Sequence, residues 1–388
     1  MKNTTTFWHT YVKTNSFQGI NVLIAGLFLK FINTRSASAH NTYGLVALSM
    51  KFLPLKSLTF ALLSLTLVAC YGGANNSEME LQMVDSDNDG YINLYDVDDD
   101  GDGLIELMTA AEFNLVRNNL DGTGFSTAIG EKGESYGCGG GTTIDGMPIN
   151  TCKGYELMND ISLIDYESWQ PIGHCSANNE CEDAFNAIFN GNGYSISDLS
   201  IEIDRLAFGV GLFGAISPDS ELHNVHVRNA MVVFEPAGAP YDVGVLVGYG
   251  RGAYITDSSV VGADIYTTAF DAGSLIGDGE GATIAYSYAD VGMIRGKSEV
   301  GGLIGGGSGA NILFSCASAI MLDGTEEVGG LLGDGRDATI ISSYALADMA
   351  RGTTSVGTLA GTYEGSNMKD SYAMADTTVS NCMDIRSL

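Results

Sequence analysis

Between residues 210 and 361 the apolar positions return in a fixed two-part phrase. The first part reads Val-Gly-Leu-Phe-Gly at 210–214, Gly-Val-Leu-Val-Gly at 244–248 and Gly-Ser-Leu-Ile-Gly at 273–277. It continues as Gly-Gly-Leu-Ile-Gly at 301–305, Gly-Gly-Leu-Leu-Gly at 329–333 and Gly-Thr-Leu-Ala-Gly at 357–361. Its leucines, Leu212, Leu246, Leu275, Leu303, Leu331 and Leu359, are spaced by 34, 29, 28, 28 and 28 residues. The second part is an Ile-x-x-Ser element at Ile255–Ser258, Ile284–Ser287, Ile312–Ser315 and Ile340–Ser343, with Met368–Ser371 as its last copy. Each copy breaks short runs of β-formers with Gly, Asp and Ser, and none carries an apolar stripe at helical spacing. A fixed period of this length marks a solenoid. Twenty-eight residues accommodate roughly three short strands at about 3.3 Å per residue, with their corners. One such coil cannot bury its apolar side alone, whereas stacked coils share an interior. The pattern predicts an all-β fold, a parallel β-helix (β-solenoid) of about six rungs.

The phrase at Val300–Gly305, followed by an Ile-x-x-Ser-Tyr-Ala element, resembles the GLUG repeat of bacterial surface and secreted proteins. The resemblance spans about 210–375, with the doubled glycine only in the copies at Gly301 and Gly329. It implies a β-helix on an extracellular, adhesin-like chain and no particular reaction. The opening coils fall at 155–206 and the repeats at 207–388. Ahead of them, Thr109 with Glu112 three residues on forms a capping-box pattern before the apolar Phe113, Leu115, Val116 and Leu120, predicting a short helix within 108–154 that caps the solenoid. Trp169 is expected in the core of the first coil, since one aromatic makes a poor sugar groove.

The N-terminal end has a different pattern. Residues 1–69 hold no acid and six Lys/Arg. Met50-Lys51 and Lys56 precede the apolar run 57–68, and Leu67-Val68-Ala69-Cys70 resembles the lipobox of bacterial lipoproteins. The reading is a doubtful extension at 1–49, a signal peptide at 50–69, lipidation at Cys70 and a polar tether at 70–84. It implies an anchored protein at the outer membrane or surface of a Gram-negative cell.

All 47 acids therefore lie beyond residue 69 with 12 bases (18 − 6), a formal charge of −35. Such a surface excludes nucleic acid as a partner, because phosphate contacts need Lys and Arg. The densest acids, at 85–107, carry chemistry. Asp85, Asp87 and Asp89 precede Gly90, with Asn93 and Asp96 following; Asp96, Asp98 and Asp100 precede Gly101, with Asp102 and Glu106 following. Alternate carboxylates converging on one cation around a turning glycine are the logic of a calcium loop. The overlap at Asp96 resembles thrombospondin type 3 repeats, which implies calcium as a structural cofactor. Loop two departs from the pattern by placing Glu106 at position 11 rather than 12.

Seven cysteines less Cys70 leave six. Local pairs Cys138–Cys152 and Cys175–Cys181 are expected in an oxidising compartment, with Cys316 and Cys382 left open as paired or free. Zinc at His174 and Cys175 lacks a CxxC partner. His223 and His226, three apart on one predicted strand, face opposite sides. A column of Tyr288, Tyr344 and Tyr372, interrupted by Ser259 and Cys316, follows the serines. Facing outward it forms a ligand ladder for sugars. Regular strand parity instead puts Tyr288 on the face of Ile284, inside, and this reading is favoured. Acids and arginines recur once per rung, unlike an active centre, which is made once. The sequence thus favours a non-catalytic surface lipoprotein binding a glycan or protein. A polysaccharide lyase or hydrolase and a purely structural envelope module are the alternatives.

Overall fold

The computed structural model describes residues 84–87, 92–93, 96–125, 152–176, 181–203, 208–235, 241–347, 350–374 and 382, with the backbone alone at 143–144 and 147–148. The expected signal peptide, Cys70, Asp89 and Cys138 lie outside the described residues.

The chain is a parallel β-solenoid of about six turns, with rungs of about 29 residues. Each full rung contributes four strands where the sequence suggested three. In one rung these are Asp271–Gly273, Ile276–Asp278, Thr283–Ala285 and Tyr288–Arg295. The extra strand arises because the glycine phrase bends around its central leucine, so its two halves enter two different sheets. In the sheet of the isoleucine column the registers are one-to-one over consecutive rungs: Ile255 pairs with Ile284, Ile284 with Ile312, and Ile312 with Ile340. The leucine column from Leu212 to Leu331 and the isoleucine column fill the interior completely buried, while Leu359 on the last full rung only packs against it. Gly305 closes its phrase directly beneath the preceding rung, where a Cβ would collide with the backbone nitrogen of Ala272.

The serine of the second phrase has a structural task. At each corner a residue in left-handed conformation turns the chain: Asp257 (φ 51°), Tyr286 (φ 53°), Phe314 (φ 50°), Ser342 (φ 49°) and Asp370 (φ 52°). The N–H that follows cannot join the sheet. The next rung's serine hydroxyl accepts it: Ser258 N donates to Ser287 Oγ at 3.1 Å, Ser287 N to Ser315 Oγ at 3.2 Å and Ser315 N to Ser343 Oγ at 3.1 Å. Each hydroxyl in turn donates to a carbonyl two residues back, Ser287 Oγ to Ala285 O at 2.8 Å. A buried hydroxyl ladder thereby satisfies one orphan donor per rung.

The N-terminal end is closed by a helix, α1 (Ala110–Leu115), whose capping box from Thr109 and Glu112 forms as the sequence indicates. The helix stops earlier than the apolar pattern, giving way to a 3₁₀ turn at Val116–Asn118. Phe113 stacks on Trp169 at 5.2 Å, and the indole Nε1 donates to Leu212 O at 3.1 Å, so Trp169 is core. Two strands join the acidic loop to the solenoid. Strand β1 (Leu104–Leu107) follows the loop directly and pairs in parallel with β2 (Gly154–Leu157) of the first coil.

Candidate functional site

In the second acidic loop three of the five expected carboxylates converge. Asp98, Asp100 and Asp102 each place one carboxylate oxygen within 4.8 Å of the others. Asp98 is fully buried, and its two oxygens accept from Asp102 N at 3.0 Å and Gly103 N at 2.8 Å. Gly101 (φ 75°) makes the turn, with Asp87 of the first loop packed against it. Asp96 and Glu106 stay outside this trio. Asp96 Oδ1 accepts from Asp98 N at 2.9 Å, and Glu106 Oε1 from Asp99 N at 3.2 Å. In the first loop Asn93 exchanges hydrogen bonds with Ser86. Among the described residues Asp85 and Asp87 join no such trio. Burial first, then the neighbouring acids, push Glu106 up to about 8 and Glu156, opposite it on β2, up to about 7. The loop concentrates negative charge that a divalent cation would neutralise.

A second acidic feature escaped the sequence reading. Asp242, Asp271, Glu299 and Glu327 stand two residues before the opening glycines of successive phrases, Gly244, Gly273, Gly301 and Gly329. Asp278 and Asp334 stand one residue after the closing glycines Gly277 and Gly333. The bend of the phrase brings both positions to one corner. There Asp242, Asp271 and Asp278 form one trio with ligand atoms within 4.8 Å, and Glu299, Glu327 and Asp334 form another. Asp242 is 8% exposed. Burial first, with the facing acids adding to it, raises Asp242 to about 8 and both Asp271 and Glu299 to about 9. Asp242 and Asp271 share a hydrogen bond, as do Glu299 and Glu327. Arginines flank both trios: Arg251 bridges Asp278 (2.7 Å) and Glu280 (2.8 Å), and Arg336 holds Asp334 at 2.6 Å. Burial lifts the Asp334 carboxyl, but hydrogen bonds from Arg336 and Thr362 bring it below its ordinary value. Periodicity alone would have exposed this column, had the positions flanking each phrase been aligned as the leucines were.

The tyrosine column is neither interior nor an open ladder. The left-handed corner between Ile284 and Tyr288 breaks the alternation on which the burial reading depended, turning Ser287 inward and the next residue outward. Tyr288 and Tyr344 are half-buried, and Tyr372 is 47% exposed and stacked on Tyr344 at 5.7 Å. Part of this face is covered by the chain itself. Cys382 returns to pair with Cys316 in the middle of the column, its N–H donates to Asp290, and Tyr344 Oη donates to its carbonyl at 3.2 Å. Cys316 and Cys382 are thus bonded to each other. Cys175–Cys181 forms as expected, and Cys152 is disulfide-bonded. His223 and His226 end and begin different strands and take separate partners, Glu221 and Ser259. His174 faces Asp183 at 3.3 Å.

The open aromatic surface lies one corner earlier. Tyr286 and Phe314 are 50% and 48% exposed, and their rings stack at 5.1 Å with planes 3° apart. Both occupy the left-handed corner position, which Asn224, Asp257, Ser342 and Asp370 fill on other rungs. Small polar side chains tolerate this backbone, whereas a bulky one costs about 1–2 kcal/mol. Asp257 stands one rung before the pair in this column and Ser342 one rung after it.

These features define a parallel β-solenoid with acidic corners and a capped N-terminal end. No protein-family model and no curated protein sequence matches the chain. A solved structure that does match is the crystal structure of a putative immunoglobulin A1 protease from Bacteroides ovatus, 20% identical over 70% of this chain and 75% of that one, with a TM-score of 0.42. The likeness is a distant one.

Proposed function

We propose that this protein is a non-catalytic binding module of the bacterial surface, anchored through Cys70 and stiffened by calcium at its acidic loops, and that it holds a glycan on the corner carrying Tyr286 and Phe314. The strained, exposed, stacked pair is the observation that carries this reading. A backbone cost accepted at two successive rungs, where asparagine or aspartate would lower it, is accounted for by contact with a ligand. Aromatic faces beside a carboxylate and a hydroxyl suit the apolar CH faces and the hydroxyls of a sugar ring. The GLUG-like phrases agree with such a surface role.

The test uses the full chain and a panel of bacterial and marine polysaccharides, read for retention and for new chain ends together. Tyr286→Asn with Phe314→Asn keeps a residue suited to the left-handed corner, so the fold should persist. Retention should fall by about fivefold to about 150-fold, from about 0.5–1.5 kcal/mol for each of the two aromatic contacts. Tyr363→Ala, at an exposed tyrosine elsewhere, should leave it unchanged. Equal retention by the double variant would sink the glycan reading.

One observation favours a second reading, a polysaccharide hydrolase or lyase. The Asp271 and Glu299 carboxyls, held protonated near neutral pH, have the character of general acids. New reducing or unsaturated ends, lost on Asp271→Asn, would establish it in place of the binding role.

A further inference from the structure

Glu156 is the buried acid that neither the loop nor the solenoid explains by itself. It lies in Gly-Tyr-Glu-Leu, the β2 strand of the first coil, with Glu106 directly opposite on β1 and Ile105 opposite Tyr155. Paired residues of a parallel ladder project to the same side about 4.8 Å apart. Glu156 therefore stands beside the last acid of the loop. It is 2% exposed, and among the described residues its Oε1 has no hydrogen-bond partner. The charges that act on it are all negative: Asp102, Asp100 and Asp98, with Glu106 beside it. The adjacent cation, Lys153, turns its Nζ to the carbonyl of Asp102 at 2.7 Å instead. A buried carboxylate oxygen with no donor, in the field of four more carboxylates, is costly unless a cation offsets them.

We propose that Glu156 is a ligand of the cation of the second loop, which is thereby held from two sides: by Asp98, Asp100 and Asp102 from the loop, and by Glu156 from the first rung of the solenoid. The inference rests on the reading that this loop takes calcium. A hard cation with six to eight oxygen ligands takes up carboxylates from separate segments. The departure at Glu106, one position short of the usual bidentate glutamate, is then compensated by an acid 50 residues further along the chain (156 − 106). Calcium becomes a clasp between the acidic segment and the solenoid, fastening β1 onto β2.

The test compares the full-length wild type with E156Q and D100N, by calcium titration calorimetry and by hydrogen exchange of amides 104–107 and 154–157. Wild type should bind calcium and gain protection in both strands; D100N should lose that gain. E156Q should bind about 10–100-fold more weakly, the range seen when a supporting group of a metal site is removed, and lose the gain in protection. In EDTA, E156Q should melt no lower than wild type, because the change removes a buried repulsive charge. An E156Q protein with undiminished affinity and protection overturns the proposal and leaves the loop site standing. A wild type without calcium binding overturns both. An E156Q protein that is destabilised in EDTA overturns the clasp in favour of a cation-independent role.

Discussion

Replacing Asp271 by asparagine probes the acidic corner through its dependence on pH. Asp242 and Asp271 share a hydrogen bond across adjacent rungs, which requires one proton between the two carboxyls. Burial first, then the facing acids, raises them to about 8 and about 9. In the unfolded chain both return to about 3.9. The folded state therefore keeps a proton that the unfolded state has released. The associated stability is complete below about pH 4, declines as pH rises, and levels off once the folded-state values of about 8 to 9 are passed. Each pH unit inside that window costs about 1.4 kcal/mol per retained proton, so the interval from pH 5 to pH 8 costs about 4 kcal/mol for the shared proton. Local opening of the corner makes this a ceiling. In D271N the Asp271 carboxyl and its proton are gone, while burial still raises Asp242, so fewer protons are retained on folding. The variant should gain on wild type by up to that amount between pH 5 and pH 8, or about 8 °C at roughly 2 °C per kcal/mol for a chain of this size. Circular dichroism melts of both proteins in EDTA at several pH values supply the difference. A D271N advantage that stays constant or shrinks as pH rises refutes the reasoning.

Other perturbations report on the solenoid itself. Ser315→Ala removes the acceptor of Ser287 N and leaves that buried donor unpaired, whereas Leu313 O keeps its bond from Tyr286 N; chemical denaturation should show a loss of about 1–3 kcal/mol. Cys382→Ser opens the bridge to Cys316, which spans 66 residues. Chain entropy sets a ceiling of about 4 kcal/mol on that loss, and limited proteolysis should cut the C-terminal segment first while the rungs stay intact.

Much of the architecture was written in one dimension. The leucine and isoleucine columns set the rung length and the interior, because a stacked coil needs the same volume at the same place on every turn. Capping at Thr109 and Glu112, the buried Trp169 and the short Cys175–Cys181 pair were likewise legible, since each depends on neighbours in sequence or on bulk alone. The trio of Asp98, Asp100 and Asp102 belongs with them, its spacing being a local turn geometry.

What failed to show in the sequence depended on direction and distance. Alternation placed Tyr288 inside, but a single left-handed residue at Tyr286 reverses the facing of everything after it. The acids of the corner sit up to seven residues apart within a rung, Asp271 and Asp278, and meet only because the glycine phrase folds back on itself. Glu156 meets the acidic loop through strand pairing across 50 residues (156 − 106), and Cys382 finds Cys316 across 66. The sequence by itself determined the repeat, its core and its local turns, because these follow from periodic burial and short-range geometry. Only the tertiary structure decided which charges became neighbours and which aromatics stayed open to solvent, because corners and register set those, and a one-residue change of facing exchanges inside for outside.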